Sequence, residues 1–201
     1  TDWGVQCSVI APSLIPTKPG ENKKCDRLDA QKLARYLSTG LLTEVRVPTA
    51  DEEAARDLVR HRFTLKKDLL KAKHRVVKFL RRKGFNYVEG ENWTIAHREW
   101  LQSIALPNGF DQECYESLRF GVESLEQRVE TLDRRIAEIS RTPAYAEPVG
   151  HLRGFRGIDT LSAMVMVTEL GDVKRFKDPR SLMAYLGLVP SVHVSGESKH
   201  G

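Results

Sequence analysis

One unbroken apolar stripe limits the fold more than anything else in the chain: Tyr115, Leu118, Val122, Leu125, Val129, Leu132, Ile136 and Ile139 follow one another in alternating steps of three and four. That spacing holds all of these side chains on one helical face. Residues 115–139 therefore call for a helix of about 36 Å and for a partner to cover its seam. An upstream stretch can provide one. Thr49-Ala50-Asp51-Glu52 has the form of a capping box, with Thr49 as N-cap. Leu58, Leu65, Leu69, Ala72, Val76 and Phe79 follow at near-heptad spacing, interrupted by Arg62, until Gly84 stops the helix. An antiparallel coiled-coil hairpin over residues 49–142 satisfies both stripes, as does pairing with another subunit.

Charge is segregated along this hairpin. The whole chain carries 32 − 27 = +5, which permits nucleic-acid binding without demanding it. From Arg60 to Lys83, however, eleven Lys or Arg stand against the single acid Asp68, a balance of +10. From Asp111 to Ile139, eight acids stand against four arginines, a balance of −4. The acids Glu116, Glu123, Glu126, Glu130 and Asp133 can neutralise part of the basic helix. The arithmetic leaves cations over, and Arg60, Lys66, Lys67, Lys71, Lys78, Arg81 and Arg82 are the candidates to face phosphate. Residues 84–110, with Trp93, Trp100 and a short helix near 94–101, form the connection. Its tryptophans pack at the hairpin tip, with base stacking as their functional alternative.

Before the hairpin, Val5–Pro12 and Leu41–Pro48 read as short strands, the first of them buried, and flank a helix of about four turns beginning at Asp26 and stopped by Gly40. Its apolar positions are Leu28, Ala30, Leu33, Ala34 and Leu37. Asp26 and Asp29, three apart, share one face, where they can serve as hard oxygen ligands for Mg²⁺ or Mn²⁺; alternatively they are solvated acids favoured by the helix dipole. After the hairpin, closed by Pro143 and Pro148, a new unit begins at His151. Leu152–Ala163 resembles a helix-hairpin-helix turn, in which Arg156 and Gly157 would meet a phosphate; Asp159, where a second glycine is usual, would repel one. Helices follow at 160–170 and 179–186, and then a polar loop, residues 187–196, containing Ser195-Gly196.

The APSLIP run at 11–16, the KxDRxDA motif at 24–30, and the later GLxP and SG motifs together resemble the insertion-sequence transposases of the 110/116/902 type, along essentially the whole chain. The resemblance implies a resolvase-like nuclease part with four acidic residues, of which Asp26 and Asp29 would match the last two. It implies a DNA transposase or recombinase that cuts and rejoins DNA with a carboxylate-bound Mg²⁺ (or Mn²⁺) site, and Ser195 as the nucleophile attacking a phosphodiester. Many members have another serine just before the nucleophile, where this chain has Val194; that leaves Ser195 as the match, with Ser191 and Ser198 as weaker candidates. A serine hydroxyl needs a base or a metal to become a good nucleophile, and His193 and His200 are the nearest bases. The implied partners are DNA at element ends and target, a noncoding guide RNA and further copies of the chain joined through the coiled coil.

The expected fold class is α+β and mostly helical. It comprises a truncated resolvase-like (RNase H-like) α/β piece at 1–48, a coiled-coil hairpin at 49–142 and a small helical transposase domain at 143–201. Since the chain lacks an initial Met, it resembles an internal fragment. Two other functions remain open: a noncatalytic nucleic-acid-binding coiled-coil protein, and a resolvase-like metal nuclease that uses water. Cys7, Cys25 and Cys114, odd in number and without CxxC spacing, indicate reduced thiols. The lack of any long apolar run predicts no membrane span and a cytoplasmic location, and the resemblance implies a bacterial, nucleoid-associated protein.

Overall fold

The two long apolar stripes are buried as helices α2 (Ala50–Arg82) and α4 (Gly109–Ile139). These come from a computed structural model, which describes residues 4–5, 7–17 and 25–189, with the backbone of 193–195 and 198–200. Along α4, burial recurs every seven residues at Tyr115, Val122, Val129 and Ile136, with Leu118, Leu125, Leu132 and Ile139 half-buried between them. On α2 the buried side is Val59, Leu65, Leu69, Ala72, Val76, Phe79 and Leu80. Val59 is buried more deeply than its neighbour Leu58, a shift of one position from the expected stripe. Arg62, which interrupts the stripe, bonds Asp133 through Nε at 2.7 Å.

Three ion pairs fix the direction and register of the two helices. Arg62 meets Asp133, Lys73 meets Glu126 and Lys83 meets Asp111, so positions rise on α2 as they fall on α4. The helices are antiparallel. They end differently. α2 closes at Gly84, whose φ of +85° lets Phe85 N–H reach Leu80 O at 3.0 Å and Gly84 N–H reach Arg81 O at 3.1 Å; a side chain there would strain this turn. α4 opens on Asn108, whose side-chain oxygen accepts the N–H groups of Phe110 and Asp111.

Helix α3 (Ile95–Ser103) lies in the connection, capped by Thr94 through His97 N–H. Its Leu101, with Ile104 and Leu106, joins Leu69, Val76, Phe79, Tyr115 and Val122 in one apolar cluster, and Trp93 and Trp100 pack against it. Each such buried side chain stabilises the fold by about 1.5–3 kcal/mol. A charge at Val76 or Val122 would break this end of the hairpin.

A second cluster joins Val59 and Ile136 to Val149, Ala163 and Met164, from α5 (Ala146–Arg153) and α6 (Thr160–Leu170). Helix α5 begins upstream of His151, which falls in its last turn. Pro148 is tolerated because it lies in the first turn, where no intrahelical N–H is required. Helix α6 has the expected bounds, and α7 spans Pro179–Tyr185. The stretch expected as a polar loop around Ser195 instead contains two short antiparallel strands, β1 (His193–Ser195) and β2 (Ser198–His200).

Contacts divide the chain into two compact units, Thr1–Ala50 and Asp51–Gly201. In the first, α1 (Asp26–Ser38) forms as expected, but the two strands do not. Among the described residues a single antiparallel bridge, Ile10 with Glu44, joins them, helped by Val45 N–H to Val9 O at 2.9 Å and by Ser8 Oγ donating to the Glu44 carboxylate. The first was expected to be buried, yet Val5 and Val9 are exposed, as is Val47 of the second. A two-stranded pairing without a covered face is marginal, which accounts for the shortened pairing. The described chain is mostly helical, and none of its helices is long and apolar enough to cross a membrane.

Candidate nucleic-acid interface and carboxylate pair

Asp26 and Asp29 stand in the first turn of α1, both exposed and one helical turn apart. Cys25 precedes them without a side-chain cap, and Asp29 N–H bonds Cys25 O at 2.9 Å. The carboxylates lie beside the positive end of the helix, where negative charge is favoured. Among the described residues no group of three or more His, Cys, Asp or Glu gathers to hold a metal. Two hard oxygen donors fit part of a Mg²⁺ or Mn²⁺ shell, the remainder of which must come from elsewhere.

Ser195 ends β1 opposite Ser198, and His193 lies opposite His200; their side chains, and all of Ser191, fall outside the described residues.

The cations of α2 divide into two sets. Arg62, Lys73 and Lys83 are taken up by α4, while Arg60 forms a two-point bond with Glu169, at 2.7 Å from both Nε and Nη2. That contact, with Arg56 Nε on Thr168 O at 2.9 Å, fastens α2 to α6. It also draws the Glu169 carboxyl below the ordinary carboxylate range. Among the described residues Lys71 reaches Asp68, its own neighbour, at 3.3 Å, and Arg82 lies over the Phe79 ring. Lys66, Lys67, Arg75, Lys78 and Arg81 are exposed, with no carboxylate partner among the described residues. This second set is what remains for an anionic partner.

At the helix-hairpin-helix-like turn, Gly157 has a φ of +90° and Arg156 is exposed. Asp159 is the N-cap of α6: its carboxylate accepts Ser162 N–H at 2.7 Å, a bond that lowers its pKa. The residue read as repelling phosphate is thus occupied in starting a helix.

A three-membered charge network was not foreseen. Glu126 accepts two bonds from Arg98, at 2.8 and 3.0 Å, and one from Lys73 at 2.7 Å. The Arg98 bonds foremost, then Lys73, hold its carboxyl down at about 2 despite burial. Both cations also lie over the Trp93 ring, Lys73 at 5.0 Å and Arg98 at 5.8 Å from its centroid. Trp93 has a φ of +70°, and nothing in its sequence neighbourhood indicated that.

Comparison with known proteins bears on the whole chain. Residues 150–201 match the family model described as Transposase IS116/IS110/IS902 family, and residues 1–84 match the DEDD-type IS110 transposase model. The chain belongs to the IS116/IS110/IS902 transposase family. Transposase y4qE of Sinorhizobium fredii (strain NBRC 101917 / NGR234) is 41% identical over 196 residues, 97% of this chain and 47% of its own length. The transposase for insertion sequence element IS1533 of Leptospira borgpetersenii is 35% identical over 88% of this chain and 52% of its own. The transposase for insertion sequence element IS1111A of Coxiella burnetii (strain RSA 493 / Nine Mile phase I) is 24% identical over 98% and 53%. The chain thus spans about half the length of the curated relatives it matches. Both carboxylates lie in the part matched by the DEDD-type model, and the serine hairpin in the part matched by the IS116/IS110/IS902 model.

Proposed function

We propose that this chain carries working parts of a transposase that cuts and rejoins the DNA of an insertion sequence. Three parts follow the sequence: a resolvase-like nuclease piece at 1–48, a coiled-coil hairpin at 49–142 and a transposase domain at 143–201. The observation that carries the proposal is the pair Asp26 and Asp29, exposed one turn apart at the head of α1, inside the segment that matches the DEDD-type model.

In this reading Asp26 and Asp29 contribute two ligands to a bound Mg²⁺ or Mn²⁺. Such an ion supplies charge stabilisation for attacking and leaving oxygens in phosphoryl transfer. Ser195 Oγ attacks a DNA phosphorus, an O–P bond forms, and the bond to the leaving sugar oxygen breaks. The hydroxyl proton passes to a base, for which His193 or His200 is the nearest choice, and the leaving oxygen takes up a proton. Strand transfer reverses these steps with a new sugar hydroxyl. The unpaired cations Lys66, Lys67, Lys78 and Arg81 hold nucleic acid, including a noncoding guide RNA, and further copies of the chain assemble through the hairpin.

Covalent trapping tests it. The full gene product is incubated with element DNA, guide RNA and Mg²⁺, and a protein–DNA adduct is mapped. An adduct at Ser195, lost in both Ser195→Ala and Asp29→Ala, is the expected result. Cleavage without an adduct would make the protein a water-using nuclease, with the serine merely a residue of the β-hairpin.

A further inference from the structure

A groove of about 410 Å³ opens at the tip of the hairpin, where the last turns of α2 meet the segment before α3. Its volume falls in the range of about 300–1,000 Å³ common to small-ligand sites. Leu70 and Val77 give its lining an apolar part; Asn92 and Trp93 line it from the segment before α3, and His74, Lys78 and Arg81 from α2. A flat aromatic surface, an apolar lining, a side-chain amide and flanking cations are what an unpaired nucleotide requires: stacking for the base, an edge to hydrogen-bond, charge for the phosphate.

Two further observations favour that occupant. Lys67, Lys71, His74, Lys78 and Arg81 recur in steps of four, three, four and three. They therefore form one stripe, about 21 Å long from end to end, and the groove opens beside its upper half. Of these, Lys67, Lys78 and Arg81 have no carboxylate partner among the described residues, whereas Arg62, Lys73 and Lys83 each meet a carboxylate of α4. Second, Trp93 occupies the left-handed region at φ +70°, a conformation unfavourable for a non-glycine residue. Its N–H is fixed there by His97 Nδ1 at 2.9 Å. Filling a core needs no such strain, and residues kept in it cluster where a ligand is held.

We infer that this groove binds an unpaired nucleotide of a single-stranded nucleic acid. Its base lies against Trp93 with the Asn92 amide at its edge, its flanking phosphates meet Lys78 and Arg81, and the phosphates of further nucleotides run along the stripe to Lys67. The inference rests on the nucleic-acid reading above and adds the place and the single-stranded form. RNA and DNA share the chemistry involved, so both are used as probes.

The test measures binding of the full protein to short oligouridine, short oligothymidine and a duplex DNA of equal length, by fluorescence anisotropy at one salt concentration. Thermal unfolding accompanies each variant. Trp93→Phe should keep single-strand affinity within about threefold, while Trp93→Leu should lose about tenfold or more with duplex binding unchanged. Asn92→Ala, an exposed change that removes the amide without touching the core, should weaken single strands alone. Bromouridine crosslinks should map to Trp93. Dependence on Trp93 with either probe supports the site, and the tighter probe identifies its source. Wild-type single-strand affinity in Trp93→Leu or Asn92→Ala, or a crosslink elsewhere, overturns it. Duplex binding without single-strand binding overturns the groove and leaves the wider function standing; binding of neither overturns both.

Discussion

The backbone N–H of Trp93 donates to Nδ1 of His97 at 2.9 Å, and His97 is almost wholly enclosed. Burial, and then the charge of Arg98, lower the imidazole pKa, so the ring is neutral and Nδ1 is free to accept. The neutral form is the one the fold favours. Stability should be full above the unfolded histidine value of about 6.5 and decline as pH falls below it. His97→Phe should remove that slope, measured as urea midpoint against pH. It also orphans the Trp93 N–H, costing about 1–3 kcal/mol.

Glu126 gives the opposite end of the acid range. Its carboxyl, held at about 2, stabilises the fold fully above the ordinary glutamate value, and that contribution disappears as pH drops from about 4.5 towards 2. Because the network is partly open to solvent, Glu126→Gln at neutral pH should cost on the order of 1–2 kcal/mol. Thermal melts should show wild type and variant converging at low pH.

Tyr115 has no solvent exposure, and its hydroxyl donates to Leu101 O at 2.6 Å. Burial pushes its pKa up to about 12. Tyr115→Phe should leave the ring contact with Phe79 in place and orphan the carbonyl, at a cost of about 1–3 kcal/mol in chemical denaturation.

Asp26 and Asp29 make the contrary case. Being exposed at the positive end of a helix, they should tolerate Asn with a change of no more than about 1 kcal/mol, while strand transfer by the full gene product collapses. A large loss of stability would place them in the fold and not in the chemistry.

Cations of α2 should separate by salt dependence. Lys78→Ala with Arg81→Ala should flatten the slope of log affinity against log salt by about one to two units on duplex DNA. Arg60→Ala should leave that slope alone and lower the melting temperature, since Arg60 is spent on Glu169.

Periodicity carried most of the helical content. The stripe from Tyr115 to Ile139 needs no tertiary information to be seen, nor does the helix ended by Gly84, because both depend on spacing along one element. The paired strands around Ile10 and Glu44 could not be judged that way: a strand persists only if something covers it, and the described residues offer a single bridge. Arg62 looked like a flaw in a stripe because its partner Asp133 is 71 positions distant. At the candidate sites the same division holds. Asp26, Asp29 and the spacing of Lys67, Lys78 and Arg81 are legible in order. The juxtaposition of Asn92 and Trp93 with Lys78, and the left-handed turn at Trp93, exist only after the chain has folded back.

The ladder of Arg62–Asp133, Lys73–Glu126 and Lys83–Asp111 has a mechanical side. Sliding α4 by one heptad in one direction would set Lys73 against Arg119; in the other it would leave Arg62 facing Ser140 and Lys83 facing Leu118. The hairpin is therefore keyed, able to bend but not to telescope. An arm of 33 residues reaches about 50 Å, and whatever is gripped at its tip is carried at one fixed radius from its base, as by a gauge and not a tether.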